Sequence, residues 1–313
     1  MASLVKPSRI APGSTIGIIA PAGPPNRERL KKGIRFLKGR GYRVKIYPQA
    51  RRKLGYLAGH DRSRADALNA AFADKDISAI FCARGGFGSL RILQYVSFDI
   101  IRANPKIFVG YSDITVLLLA IYKKTRMVTI HGPMPAVEFG RRLRRFTIEN
   151  FFRSLESNLT PGLIEKPTGY NIVRISGGAT EGRIIGGNLS LMARLIGTGF
   201  LPTFKNKIVF FEDTEEEAYR IDGYLSQLFA ATDFGQARGY IIGEFTRTEP
   251  RYGHPPGWSV KQVIGDYFSK LDRPCIYGFP CGHGAEKITI PIGVKTVLDA
   301  DKKSVSFKEA GVS

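Results

Sequence analysis

The chain has 313 residues, of which 43% are hydrophobic and 24% are charged, a balance typical of globular proteins and unlike that of disordered chains. No apolar run approaches the roughly 20 residues that a membrane-spanning helix needs, and the N-terminal segment does not have the pattern of a signal peptide. The three cysteines cannot all pair with one another, so we expect a reducing compartment, the cytoplasm.

Basic residues dominate the charge: 47 lysines and arginines against 27 aspartates and glutamates give a net charge of +20. They are scattered along the chain and are not interleaved with aromatic residues as a nucleic-acid stacking platform requires. We therefore expect neither a nucleic-acid partner nor a membrane. The charge is better explained by solvated helix faces and by a basic surface that attracts an acidic small substrate.

The first half of the sequence alternates between short apolar strands and amphipathic helices. Strands are predicted at 15–20, 42–47, 77–83, 107–110 and 128–130, with helical patterns between them. This alternation predicts an α/β fold with a parallel sheet and helices on both of its faces. In such sheets the functional groups gather at the carboxyl ends of the strands.

A change in composition divides the chain into two predicted domains. Residues 1–157 form the N-terminal α/β domain, the proline- and glycine-containing segment 158–179 is predicted as a linker, and residues 180–313 form the C-terminal domain. Further strands are predicted at the following places: 207–211, 239–244, 275–277 and 287–291.

Ser112 lies between the strand that ends at Gly110 and a strongly apolar helix. A serine on a sharp turn from strand to helix is how many hydrolases expose a nucleophilic hydroxyl. The second glycine of the G-x-S-x-G motif is replaced by Ile114, and the alternative is a serine that caps a core helix. A nucleophilic serine also needs a base, and the base needs a third group that orients it.

Four histidines are available as that base. His60 stands at a predicted helix start, His131 ends a strand of the first domain, and His254 lies in a proline-rich loop. His283 lies between two glycines, which permit tight backbone geometry and close approach of another segment. The sequence favours His283 and leaves His131 as its competitor.

Glu212 is the predicted orienting acid because it terminates an apolar strand. Thr214 and Glu217 have the spacing of a capping box for the next helix, which accounts for the neighbouring glutamates but not for Glu212. The order Ser112, Glu212, His283 is one that hydrolytic triads adopt.

Two further stretches raise the question of a phosphate-binding loop and of a zinc site. The stretch 84–89 lacks the lysine of a phosphate-binding loop, and it fits an oxyanion hole with the backbone N–H groups of Gly86 and Asp113 as donors. Cys275, Cys281 and His283 do not have the spacing of a common zinc site. We expect no metal and no cofactor.

Taken together, these residues and motifs resemble the LD-carboxypeptidase family of serine peptidases, which includes the microcin C immunity peptidases. The matching stretches run in order from about residue 15 to residue 293: Ile19-Ala-Pro-Ala-Gly23, Gly55-Tyr-Leu-Ala-Gly-His-Asp61, Ala83-Arg-Gly-Gly-Phe-Gly-Ser89, Gly110-Tyr-Ser-Asp-Ile-Thr115, His131-Gly-Pro133, Gly186-Gly-Asn-Leu189, Phe211-Glu-Asp213, Gln227-Leu228 and Gly282-His283.

The resemblance implies a Ser112–Glu212–His283 triad and an oxyanion hole at Gly86 and Asp113. It also implies a flavodoxin-like or amidotransferase-like N-terminal domain, a smaller β-rich C-terminal domain, and a homodimer. The implied reaction is hydrolysis of an L,D peptide bond, which releases the terminal D-alanine of a muropeptide tetrapeptide in peptidoglycan recycling.

Substrate contacts are harder to assign. Phe87, His60 and Gly223 depart from residues that the family often has at these places, although none belongs to the triad. Arg84 is a candidate clamp for the substrate carboxylate. Trp258 stands in a segment, 246–260, that is a candidate lid.

Two other functions remain open from the sequence. The same triad would serve a peptidyl-nucleotide hydrolase of the microcin C type, where Trp258 would stack on the base. A non-catalytic basic binding protein would instead show steeply salt-dependent binding.

Overall fold

A computed structural model of the chain describes residues 3–141, 143–249 and 257–313. The strands, in chain order, are β1 (Thr15–Ile19), β2 (Arg43–Ile46), β3 (Ala79–Cys82), β4 (Ile107–Gly110), β5 (Thr129–His131), β6 (Gly162–Leu163), β7 (Val173–Ser176), β8 (Ala179–Asn188), β9 (Lys207–Thr214), β10 (Gly239–Thr246), β11 (Cys275–Tyr277), β12 (Ile290–Ile292), β13 (Lys295–Asp299) and β14 (Ser304–Phe307). The α-helices are α1 (Arg27–Gly39), α2 (Asp61–Ala73), α3 (Ser89–Ile92), α4 (Phe98–Ala103), α5 (Thr115–Thr125), α6 (Arg145–Glu156), α7 (Leu189–Arg194), α8 (Ala218–Ala231) and α9 (Val260–Phe268). Within these ranges no helix has both the length and the apolarity to cross a membrane.

The first compact unit runs to Leu159 and also includes Ile288–Gly293 and Ala310–Ser313. Its sheet has the strand order β12-β5-β4-β3-β1-β2, and the five strands from β1 to β5 are parallel. The predicted parallel α/β sheet is therefore confirmed. Because the strands are parallel, the segments that follow β1, β3 and β4 leave the sheet at the same edge.

The burial of these strands agrees with their positions in the sheet. Every residue of β3 and β4 is buried, as expected for central strands covered on both faces. By contrast, β2 alternates between exposed and half-buried residues and lies at the edge of the sheet. Helix α5, which follows the Ser112 turn, is buried from Thr115 to Tyr122 and belongs to the core.

One strand of the first sheet comes from near the end of the chain. Strand β12 pairs antiparallel with β5, with Ile290 opposite His131. The predicted C-terminal domain, 180–313, therefore includes residues that pack in the first unit. The apolar character of residues 288–292 gives no information about which sheet they join, since that depends on pairing with a distant strand.

The second compact unit comprises Thr160–Lys287 and Val294–Glu309. Its eight-stranded sheet has the order β6-β14-β13-β8-β9-β10-β11-β7 within the residues described. Strands β8 to β11 are parallel, and the strands outside them pair antiparallel.

Two local expectations in this unit need correction. The segment 158–179 is not only a linker, because it supplies β6 and β7 to the two edges of the sheet. The expected capping box is also absent: α8 begins after Glu217, whose side chain makes no cap hydrogen bond. Thr214 instead stays in β9, where its hydroxyl accepts a hydrogen bond from the Thr246 hydroxyl at 2.8 Å. Strand pairing outweighs the local capping signal at this position.

Candidate active site

Ser112 lies on a strained turn of the first unit. Tyr111 leaves β4 with an extended backbone, and Ser112 then adopts a φ of 62° at the start of a 3₁₀ turn, Ser112–Ile114, that leads into α5. A side chain in this left-handed region costs about 1–2 kcal/mol. Such strain persists where the surrounding structure enforces it, commonly at functional sites. The turn leaves Ser112 half-buried.

The loop after β3 approaches this serine through its backbone. A Cβ atom added to Gly85 would lie 2.9 Å from Ser112 Cβ and 3.0 Å from its Oγ, so this close approach requires glycine. Gly86 has a φ of +117°, which also favours glycine. The Asp113 carboxylate accepts a hydrogen bond from the Ser89 N–H at 2.8 Å and so ties the loop to the turn. An oxyanion hole at Gly86 and Asp113 stays a prediction.

Arg84 precedes the same two glycines and is half-buried. Its Nη2 lies 3.5 Å from the position that a Gly86 Cβ would occupy. A guanidinium beside the glycines that approach Ser112 is suited to bind a carboxylate.

Glu212 and His283 contact each other in the second unit. Glu212 is fully buried in β9, and its Oε2 lies 2.7 Å from His283 Nδ1. Gly282 has a φ of +87°, and a Cβ there would lie 2.1 Å from Glu212 Oε2. The glycine before His283 therefore provides the space in which the carboxylate meets the ring.

Two opposing effects set the pKa of His283. Burial lowers it, but the charge of Glu212 and the hydrogen bond that the ring donates to that carboxylate together outweigh burial, so the pKa is raised above 6.5. The positive charge of Lys287 acts against this rise. The contact through Nδ1 also assigns any base chemistry to the other ring nitrogen, Nε2.

Comparison with known proteins extends over nearly the whole chain. Residues 16–132 match the LD-carboxypeptidase N-terminal domain, and residues 181–298 match the LD-carboxypeptidase C-terminal domain. A probable murein peptide carboxypeptidase of Bacillus subtilis is 37% identical over 312 residues, which cover 98% of this chain and 95% of the relative. The chain belongs to the LD-carboxypeptidase family. The family recognised in the sequence is thereby confirmed.

Other members of the LD-carboxypeptidase family are also similar. The murein tetrapeptide carboxypeptidase of Pseudomonas aeruginosa is 29% identical over 296 residues, covering 92% of this chain and 94% of that protein. A structure of the microcin C7 self-immunity protein MccF in complex with aspartyl sulfamoyl adenosine has a TM-score of 0.90 and 26% identity, over 99% of this chain and all of that one. The mixed α/β architecture with two sheets is thus shared with solved structures of the family.

Asn188 and Asp213 were not identified as site residues from the sequence. The Asn188 side chain donates to Asp213 Oδ1 at 2.8 Å and to Glu212 Oε1 at 3.4 Å. The Ser190 N–H donates to the other Asp213 oxygen at 2.8 Å. Burial and the charge of Glu212 raise the pKa of Asp213 to about 6. The signal for these residues in the sequence is the family-like stretch Gly186-Gly-Asn-Leu189 at the end of a parallel strand, β8.

Glu244 is a second carboxylate that sequence reasoning missed. It lies in β10 at a register shift between Ile242 and Phe245, the kind of bulge that redirects a side chain. A Cβ on Gly284 would lie 1.6 Å from Glu244 Oε2, so the glycine after His283 makes room for this second carboxylate. The two glycines beside His283 thus each accommodate a glutamate.

Burial raises the pKa of Glu244 to about 7, and the charge of Glu212 acts in the same direction. Lys287 and the Tyr170 hydroxyl oppose this rise. A raised carboxyl pKa means that the folded state holds the proton more tightly than the unfolded state does. This contribution to stability is complete below the unfolded pKa of 4.5 and is lost as the pH rises through about 7.

We therefore expect Glu244→Gln, which cannot ionise, to gain stability relative to the parent as the pH rises. Discounting the shift for partial exposure leaves about 1 kcal/mol, or about 2–4 °C in Tm, between pH 5 and pH 8.5. Thermal unfolding of both proteins across this range measures the difference. Glu165→Gln, at an exposed position of the same unit, is the control and should show no such trend. A constant difference in Tm would mean that Glu244 does not titrate in this range.

The other candidate residues that the structure describes differ widely in exposure. His60 is exposed and makes no side-chain cap to α2, whereas His131 is buried in β5 with its ring 5.8 Å from that of Tyr111. His254 and part of the candidate lid, 246–260, lie outside the described residues. Trp258 is 57% exposed. Cys275 and Cys281 are fully buried free thiols.

Proposed function

We propose that this protein is a serine carboxypeptidase that cleaves an L,D peptide bond and releases the terminal D-alanine of a muropeptide tetrapeptide. Relatives that span the chain are named as murein peptide and murein tetrapeptide carboxypeptidases. The observation that carries the proposal is the 2.7 Å contact between Glu212 and His283, with the turn around His283 shaped by glycine. The left-handed backbone of Ser112 supports its role as the nucleophile.

In the proposed mechanism, His283 Nε2 accepts the Ser112 proton as Oγ attacks the scissile carbonyl carbon. Glu212 holds the ring through Nδ1 and stabilises the imidazolium that forms. The oxyanion is stabilised by the N–H groups of Gly86 and Asp113. His283 then protonates the leaving D-alanine amine. Water, deprotonated by the same histidine, attacks the acyl-enzyme and regenerates Ser112.

A carboxypeptidase must also recognise a free carboxylate. Arg84, half-buried beside Gly86, is the proposed clamp because it lies on the loop that approaches Ser112. The net charge of +20 would accelerate encounter with an acidic muropeptide. We place the enzyme in peptidoglycan recycling in the cytoplasm, as a homodimer. The three buried free thiols support a reducing compartment.

A second substrate class is supported by the likeness to MccF, whose structure holds aspartyl sulfamoyl adenosine. The exposed Trp258 would suit stacking on a nucleobase. The two substrates need the same hydrolytic residues. They differ in the residues that must contact the rest of the substrate molecule.

The test is one purified sample assayed against both substrates. We expect kcat/KM for D-alanine release from the tetrapeptide to exceed that for aspartate release from aspartyl sulfamoyl adenosine by at least about 100-fold, or about 2.7 kcal/mol. The reverse order would assign the nucleotide substrate. No turnover of either, together with no labelling by a fluorophosphonate, would favour the basic binding protein instead.

A further inference from the structure

The first unit contains a cavity of about 530 Å³ that has no role in the proposed reaction. Small-molecule sites in proteins have volumes of about 300–1,000 Å³. Its wall is formed by the segment after β1, the first turns of α1, the end of β2 and the residues that follow β2: Pro24, Pro25, Arg27, Leu30, Lys31, Ile34, Ile46, Ala50, Arg51, Arg52 and Lys53. None of these residues belongs to the Ser112 turn or the Gly85–Gly86 loop.

The position of the cavity favours a ligand site. It lies beyond the carboxyl ends of β1 and β2, the edge at which open α/β sheets bind their ligands. The first turn of α1 also contributes to the wall, and the N-terminus of a helix favours negative charge.

The charge of the wall is strongly positive. Five of its eleven residues are lysine or arginine, compared with 47 of 313 in the whole chain, and none is acidic. Lys31 forms an exposed pair with Glu28, and Arg52 donates to the Ser63 hydroxyl. Arg27, Arg51 and Lys53 have no carboxylate within salt-bridge distance in the part of the chain that the structure describes. All five basic residues are exposed to solvent, and several positive charges would attract an anion that binds among them.

The remaining six residues are all apolar: Pro24, Pro25, Leu30, Ile34, Ile46 and Ala50. A bare inorganic anion would satisfy the cations and leave this surface in contact with water, whereas a neutral apolar molecule would leave the cations unpaired. A ligand that fits both parts of the wall has an apolar body and a terminal anionic group.

We propose that this cavity binds a small organic phosphate, an apolar body that carries a phosphate monoester. The apolar body contacts Leu30, Ile34 and Ile46. The phosphate lies among Arg27, Lys31 and the cations of residues 51–53. No residue of the proposed peptidase site lines the cavity, so this proposal does not rest on that site.

The experiment is titration calorimetry of the full chain with 1-naphthyl phosphate, inorganic phosphate and 1-naphthol. We expect 1-naphthyl phosphate to bind at one site and at least tenfold more tightly than either fragment. The double variant Arg51→Gln, Lys53→Gln should raise its Kd at least tenfold. The matched control is Lys32→Gln, Lys38→Gln, which removes two exposed charges from α1 outside the cavity and should change Kd less than twofold.

Two results would overturn the proposal. Inorganic phosphate that binds as tightly as 1-naphthyl phosphate would show that the apolar wall contributes nothing. An equal loss in the cavity variant and the control variant would show that the overall field of the +20 protein, rather than this cavity, holds the anion. Loss of peptidase activity is not a readout here, so failure of this proposal is distinct from failure of the proposed function.

Discussion

Replacing Ser112 with alanine is expected to lower the rate of D-alanine release by about 10⁴- to 10⁶-fold, because the hydroxyl is the group that attacks the carbonyl carbon. Alanine retains the Cβ atom that packs against Gly85 and removes only the oxygen. The variant should therefore remain folded, with Tm within about 2 °C of the parent. Chromatographic measurement of D-alanine, with circular dichroism for folding, tests this expectation.

A covalent probe separates the nucleophile from other serines. A fluorophosphonate should label the parent and leave Ser112→Ala unlabelled. Ser8→Ala, at an exposed position of the same unit, is the matched control and should retain both labelling and turnover. Retained turnover in a folded Ser112→Ala protein would exclude the proposed mechanism.

The second large effect is expected for Glu212→Gln, which keeps the size of the side chain and removes its charge. We expect kcat to fall by about 10⁴-fold, because an amide neither holds the required tautomer of His283 nor stabilises the imidazolium. The free energy of the transition state would rise by about 5.4 kcal/mol.

The pH dependence of the residual activity gives an independent readout. A base must be neutral, so activity is lost as the pH falls through the pKa of His283, which Glu212 holds above 6.5. Without that charge, burial is the dominant effect and lowers this pKa. The acid limb of kcat/KM should therefore move to lower pH in Glu212→Gln. Glu165→Gln should leave the limb in place. An unchanged acid limb in Glu212→Gln would assign the base to another residue, with His131 the next candidate.

Local patterns in the sequence predicted several elements closely. The strands expected at 15–20 and 107–110 are found at Thr15–Ile19 and Ile107–Gly110, because continuous apolar runs are characteristic of strands buried on both faces. The capping box expected at Thr214 and Glu217 is wrong, since pairing of β9 with β10 keeps Thr214 in the strand. A capping signal is local and contributes about 1 kcal/mol, less than the strand pairing it competes with.

The sequence indicated Ser112, Glu212 and His283 because of where they stand relative to predicted elements. Each follows or terminates a recognisable element: a strand-to-helix turn, an apolar strand and a pair of glycines. The chemistry of a nucleophile, an acid and a base needs particular residue types, so few residues in the chain compete for these roles.

The sequence by itself determined the α/β class, and it proposed the two-part organisation and the candidates for nucleophile, acid and base, because these depend on residue type and short-range periodicity. Only the tertiary structure decided that β12 joins the first sheet, that Asn188 bridges Glu212 and Asp213, and that a bulge in β10 places Glu244 against Gly284. These contacts depend on strand order and register between segments far apart in the chain. A one-residue shift in register would turn each of these side chains to the opposite face, and no local pattern specifies that register.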